Sequence, residues 1–221
     1  MKTRGACWLW WSSGKDSTWA LRELRRTGYD VTRLVTTVNQ LHDRVAIHGV
    51  RRELLEAQAQ SVGLPLRIIE LPSPCSNEDY EAAVAPAIAE ASTAEVRSMA
   101  FGDLFLRDVR AYRERLLAGS EIAPAFPIWG MDTRRLAPAM IAGGLRARLT
   151  CVDTEVLPAE FVGRVFDEQL LSDLPDGVDP CGENGEFHTF VYDGPGFTEP
   201  LAVETGRIED QGRFVFSDLT W

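Results

Sequence analysis

The chain has 221 residues, 45% of them hydrophobic and 25% charged, with a formal net charge of −10. That length allows one sizeable core with a small appendage, and the composition speaks against disorder. No uncharged apolar run nears the roughly 20 residues of a membrane-spanning helix, no signal-peptide pattern opens the chain, and the acidic balance opposes generic binding to nucleic acid. A cytoplasmic protein with no membrane partner is expected, with nucleic acid an unlikely one. Cys7, Cys75, Cys151 and Cys181 are scattered without a CxxC pair, so they read as reduced thiols.

The first predicted strand, Cys7 to Trp11, ends abruptly in SSGKDS, and a helical pattern follows from Ser17 to Gly28. A polar turn between a buried strand and a helix N-terminus suits an anion. The helix presents unpaired amides, Gly14 allows close backbone approach, Ser12, Ser13 and Ser17 offer hydroxyls, and Lys15 adds a cation. The turn is not a Walker A loop, because Leu9 stands where that motif needs its first glycine and Asp16 where it needs Ser or Thr. An aspartate aimed at phosphate repels it unless a divalent cation lies between them, so Asp16 reads as a magnesium contact. The structural alternative is a capped helix, with Ser12 or Ser13 as N-cap and Asp16 near the positive helix end.

Further strands are predicted at Val31 to Val38, Leu66 to Leu71, Val96 to Phe101, Ala125 to Ile128 and Ala147 to Val152. Helical patterns separate them at Gly49 to Gly63, Asn77 to Ser92, Leu104 to Gly119 and Thr133 to Gly144, and Gly28, Gly63, Gly119 and Gly144 suit left-handed helix ends. This alternation predicts an α/β protein with a parallel sheet covered by helices on both faces. After about Leu157 the rhythm changes to a short helical piece, Glu160 to Leu171, a turn-rich stretch, LPDGVDPCGENGEFHT, and strands at Phe187 to Tyr192, Leu201 to Arg207 and Arg213 to Phe216. Residues 1–157 are expected to form the α/β domain, and 158–221 a small C-terminal extension with antiparallel strands.

CGENGEFHT is the most chemically loaded segment outside the first loop, with Glu183, Glu186 and His188 set among Gly182, Asn184 and Gly185. Two carboxylates and an imidazole on a glycine-flexed turn can bind an amine, orient a substrate or take a proton. If a strand runs from Phe187, Glu186 and His188 share one face; the plain alternative is a solvated acidic turn. Trp129 in FPIWGMDT can stack on a substrate ring or fill the core, and Asp132 reads as the N-cap of the next helix. His48 can reach phosphates or cap the helix it precedes, while Trp8, Trp10 and Trp11 read as packing.

SSGKDS resembles the SGGKDS signature of PP-loop, or N-type, ATP pyrophosphatases, with Ser13 in place of a glycine. VAIHGVRRELLEAQAQSVGLPL, AFGDLFLRDVRAYRERLL, FPIWGMDTRRLA and CGENGEFHTFVYDGP resemble, in order, segments of the diphthine ammonia ligase family, so that the likeness runs from residue 9 to about 196. The resemblance implies a Rossmann-like (HUP-type) fold, a doubly wound parallel five-stranded sheet in the order 3-2-1-4-5. It also implies ATP and Mg2+ as cofactors and an AMP-forming carbon–nitrogen ligase. A carboxylate would be activated as an acyl-adenylate with release of pyrophosphate, then amidated by ammonia or an amine.

The nucleotide site implied by this resemblance comprises Ser12, Ser13, Gly14, Lys15, Asp16 and Ser17, with Thr37, Val38 and Asn39 bordering the base, and His48 and Gly102 nearby. Asp103 would join Asp16 as a metal contact, or else cap the helix from Leu104. Lys15, Glu186 and His188 are the catalytic candidates, and Trp129, Glu183, Asn184, Glu186 and His188 the substrate-binding ones. The implied partners are a carboxylate acceptor, either a small molecule or a modified histidine of a translation factor, and an ammonia donor; a homodimer is compatible with the reading. GENGEFHT departs from the family's G-E-G-G-E-Y-E-T, with Phe187 for tyrosine and His188 for glutamate, a change that bears on the acceptor rather than on the ATP chemistry. The competing readings are a PP-loop sulfurtransferase acting on RNA through Cys75, Cys151 and Cys181, and an ATP-binding regulator without turnover.

Overall fold

The computed structural model describes residues 4–45 and 48–220. Its organising element is β1 (Ala6–Trp10), whose successive side chains enter different cores, Cys7 and Leu9 on one face, Trp8 and Trp10 on the other. A strand that is apolar on both faces belongs at the centre of a sheet covered on both sides. β1 pairs in parallel with β2 (Asp30–Asn39) on one edge and with β5 (Ser98–Ala100) on the other. β4 (Leu66–Leu71) lies outside β2, and β6 (Ala123–Ala125) outside β5, both parallel. The parallel strands therefore run β4-β2-β1-β5-β6, the 3-2-1-4-5 order expected, with a short antiparallel β3 (Arg44–Val45) added at the end of β2.

The connecting helices cover both faces. α1 (Lys15–Arg26) and α2 (Arg52–Val62) bury Leu21, Leu24, Leu54 and Leu55 against one face. α3 (Asn77–Thr93) buries Val84, Ala87 and Ala91 against the other, where Leu116 of α4 (Arg107–Leu116) also packs. Leu24 is wholly buried, so its truncation to alanine is expected to cost about 2–5 kcal/mol. α3 starts with a reciprocal cap between Ser76 and Asp79, and α2 ends on Gly63 in the left-handed region.

The second layer is an antiparallel sheet in the order β8-β7-β10-β9, built from β7 (Arg146–Asp153), β8 (Phe187–Asp193), β9 (Glu204–Gln211) and β10 (Phe214–Thr220). The strand expected over Ala147 to Val152 is β7, and it does not extend the parallel sheet. It follows α5 (Thr133–Ala142) as a sixth parallel strand would, yet both its edges are taken by antiparallel partners, β8 and β10. The helical piece expected at Glu160 to Leu171 divides into a single 3-10 turn, Ala159–Phe161, and α6 (Glu168–Asp173). α5, α6 and β7 share one core, which includes Leu136, Met140, Leu149, Phe166 and Leu170.

Candidate functional site

The turn after β1 is where the two sheets meet. Gly14, with extended backbone, is the N-cap of α1 and no side chain caps it, so neither Ser12 nor Ser13 takes that role. The amide of Lys15 instead donates to the Thr189 hydroxyl of β8 at 3.1 Å, and the amide of Val191 donates to the Ser13 carbonyl at 3.0 Å. Ser17 and Thr18 turn their hydroxyls back onto the Gly14 carbonyl at 3.0 and 3.1 Å, and Ser12 donates to Ser17 at 3.3 Å. Ser13 adopts φ 70, in the left-handed region natural to glycine, the residue that the PP-loop signature has at this position.

Gly102, after β5, is required by close approach: a Cβ there would lie 3.0 Å from the Asp16 carbonyl carbon and the Ser17 nitrogen. The end of β5 thus abuts the start of α1, which is the crevice where open α/β sheets place their ligands.

Lys15 is buried. Burial draws its ammonium toward neutrality, but Asp16, whose Oδ2 is 2.8 Å away, outweighs that and keeps it charged. Its Nζ also lies 5.4 Å from the Phe187 ring centroid. Asp16, Asp103 and Glu183 all have carboxyls pushed up, first by burial and then by their acidic neighbours, Glu183 to about 7. Glu183 Oε1 accepts the Leu104 amide at 2.7 Å, which ties the GENGEFHT loop to the turn after β5.

His48 approaches the Thr189 carbonyl with Nδ1 at 3.3 Å, so that nitrogen carries the proton. Burial lowers His48 to about 4 and holds His188 well below the usual histidine range. Their rings lie 4.7 Å apart, and both are neutral at pH 7.

The structure brings Ser12, Lys15, Asp16, Ser17, His48, Gly102, Asp103, Glu183 and His188 around one cleft of about 310 Å³, with Phe101 and Phe187 among its walls. An adjoining cleft of about 610 Å³ is mainly apolar and aromatic, with Trp10, Tyr80 and Tyr112 in its walls and Thr37 at its edge. Trp10, read from sequence as packing alone, borders both clefts.

Other candidates lie elsewhere. Val38 is core, and the Asn39 side chain accepts the Leu41 and His42 amides at 2.9 and 3.3 Å in its own loop. Trp129 packs on Phe126 and Arg110. Glu186 lies just before β8, its carbonyl still accepting the Asp153 amide at 3.0 Å, but unlike His188 it does not line the cleft. Its buried carboxylate accepts the Asp179 amide at 3.0 Å and both nitrogens of Asn184 at 2.9 Å, which closes the loop on itself and also accounts for Asn184. Asp132 caps α5 as expected, accepting the Arg134 amide at 3.1 Å.

Sequence reasoning missed Thr189, Gln58 and Arg113, each of which reaches the site from a distant segment. The only signal for Thr189 was its place in the alternating strand after GENGEFHT; Gln58 and Arg113 gave none.

Among the described residues no cluster of three His, Cys, Asp or Glu side chains forms a protein-only metal cage. The donor set does fit Mg2+, which takes one or two carboxylates and completes its shell with phosphates and water. Asp16 Oδ1 and Asp103 Oδ2, on two residues of this cleft, are buried oxygens without a hydrogen-bond partner. Of the thiols, burial pushes Cys7 and Cys151 up to about 12 and Cys181 higher still; only exposed Cys75 borders a cleft.

Fold and site together define a doubly wound α/β protein of the PP-loop type, with a second, antiparallel sheet bonded to the turn after its central strand. The diphthamide synthase N-terminal domain matches residues 5–120 and the diphthamide synthase C-terminal domain residues 132–219, and the chain belongs to this family. It is similar to the diphthine–ammonia ligase of Danio rerio, with 25% identity over 87% of this chain and 84% of the relative. The diphthine–ammonia ligase of Homo sapiens is 23% identical over 95% of this chain and 87% of the relative. A solved structure, a predicted subunit of tRNA methyltransferase from Methanocaldococcus jannaschii, aligns with TM-score 0.40 and 18% identity over 59% of this chain and 71% of that one.

Proposed function

We propose that this protein is an ATP-dependent, amide-forming ligase that activates a carboxylate as an acyl-adenylate. The observation that carries the reading is the buried Lys15–Asp16 pair on the turn after β1, faced by Asp103 across the crevice, in a diphthamide synthase family chain. A carboxylate oxygen of the acceptor bonds to the α-phosphorus of ATP as the bond to the bridging oxygen breaks and pyrophosphate leaves. Ammonia then bonds to the acyl carbon, AMP departs with the electron pair of the broken C–O bond, and the nitrogen loses a proton.

Lys15 and the positive end of the α1 dipole stabilise the charge that grows on the leaving pyrophosphate. Asp16 and Asp103 would hold Mg2+, which when bound would supply charge neutralisation on the phosphate oxygens. Glu183 borders the same cleft and is half ionised near pH 7, which suits it to accept the proton from nitrogen. Glu186, whose carboxylate is fully engaged in its own loop, keeps that loop in shape. The neutral rings of His48 and His188 position substrate and exclude water.

The sulfur-transfer alternative needs two reactive thiols at the cleft. Burial disfavours the thiolate at Cys7, Cys151 and Cys181, which supports the amide route instead. The reading is tested by exchange of labelled pyrophosphate into ATP, measured without ammonium and with a panel of carboxylates that includes a diphthine-bearing translation factor. Carboxylate-dependent exchange supports reversible adenylation; turnover without any exchange under every condition speaks against it.

A further inference from the structure

We propose that Arg113 forms the α-phosphate subsite of this protein and acts as a catalytic cation in nucleotidyl transfer; the inference rests on the reading of the cleft as an ATP site. The cleft beside the turn and the aromatic cleft next to it share a wall made of Trp10, Ser12, His48, Val109 and Arg113. A nucleotide with its β- and γ-phosphates on the turn and its base among the aromatic rings has its α-phosphate at that shared wall. Of those residues, Arg113 alone brings a positive charge. His48 is neutral, and Lys15, farther along the turn, is already engaged by Asp16.

The guanidinium of Arg113 is held in place and left with donors to spare. It lies over the rings of Phe101 and Trp10, 5.1 and 5.7 Å from their centroids, and donates to the Tyr80 hydroxyl at 3.1 Å. Its Nε is buried without a hydrogen-bond partner, and the nearest carboxylate oxygen, Asp103 Oδ2, stands 3.9 Å away, outside hydrogen-bond reach. A planar, forked donor that lines the cleft and spends one N–H on a protein partner fits the oxygens of a phosphoryl group. Charge builds on the non-bridging α-oxygens as the acceptor oxygen bonds to phosphorus and pyrophosphate leaves. A cation fixed there beforehand stabilises that transition state more than the ground state.

The test is calorimetric binding of AMP, adenosine and magnesium pyrophosphate to the wild type and to R113Q, R113K, Y80F and K15A, with each variant's melting temperature recorded. The wild type is expected to prefer AMP over adenosine. R113Q should weaken AMP roughly ten- to a hundredfold while leaving adenosine and pyrophosphate unchanged. R113K should restore part of the loss, and Y80F, which removes the supporting hydrogen bond but keeps the cation, should retain the preference. K15A should weaken pyrophosphate and spare the preference for AMP. An unchanged AMP-to-adenosine ratio in R113Q would overturn the assignment, as would equal losses for all ligands. If the wild type binds none of these ligands, the ATP reading fails, and the subsite with it.

Discussion

The side-chain amide of Gln58 donates to the main-chain carbonyl of Ser13 at 3.0 Å and its oxygen accepts the indole N–H of Trp11 at 2.9 Å. The same amide donates to the Val191 carbonyl, so one wholly buried residue of α2 fastens the turn after β1 to Trp11 and to β8. In Q58L the Trp11 indole and the Ser13 carbonyl lose this partner in a dry interior, and unfolding stability should fall by about 2–4 kcal/mol. ATP affinity should fall as well. Denaturant unfolding and nucleotide titration measure the two effects, and a Q58L protein with unchanged values would refute the clamp.

At Ser13 the same turn stores strain. A non-glycine residue at φ 70 costs roughly 1–2 kcal/mol, and the Ser13 hydroxyl is buried without a partner. S13G removes both penalties and gives back part of the gain as unfolded-state entropy, so it should raise the melting temperature, while S13V should lower it. Thermal melts in which S13G is the less stable of the two would show that the backbone is not strained there.

Asp103 brings a buried carboxylate oxygen without a partner next to Asp16. D103N should raise the Mg2+ concentration needed for half-maximal ATP turnover by about tenfold or more. It should leave thermal stability equal or higher, because a carboxylate disfavoured by burial becomes a neutral amide. Magnesium titrations that superimpose on the wild type would remove Asp103 from the metal site.

Stability at acid pH should depend on Asp218, the anchor of β10 to the segment around Arg44 and Arg51. Burial alone would raise its carboxyl, but hydrogen bonds and charge from Arg51 and Arg44 outweigh burial and bring it to about 2, from 3.8. A depressed folded-state value means that the unfolded chain binds more protons in this window. The stabilisation is therefore complete above about pH 5 and lost as pH falls through 2 toward about pH 1, on the order of 2 kcal/mol in all. D218N should be less stable than the wild type at pH 7 and converge with it below about pH 2; parallel stability curves across that range would contradict the assignment.

The parts of the site that could be read in the sequence are those that lie close together along the chain. SSGKDS carries its own logic in neighbouring residues, and the parallel order around β1 follows from strand and helix alternation together with the family likeness. What escaped depends on contacts between distant segments. β7 looks like one more parallel strand until β8 and β10 occupy its edges. Strand alternation pairs Glu186 with His188, but the amides of Asp179 and Asn184 draw the Glu186 carboxylate into its own loop. Arg113 belongs to a helix without buried residues and becomes visible only where α4 lies across Trp10 and Phe101.

The central claim is tested most directly by the products of ATP turnover in magnesium and ammonium with a pool of cellular carboxylates, AMP and ADP being resolved by chromatography and K15A serving as control. Adenylation predicts AMP and pyrophosphate in equal amounts, abolished in K15A. Formation of ADP and phosphate would contradict it.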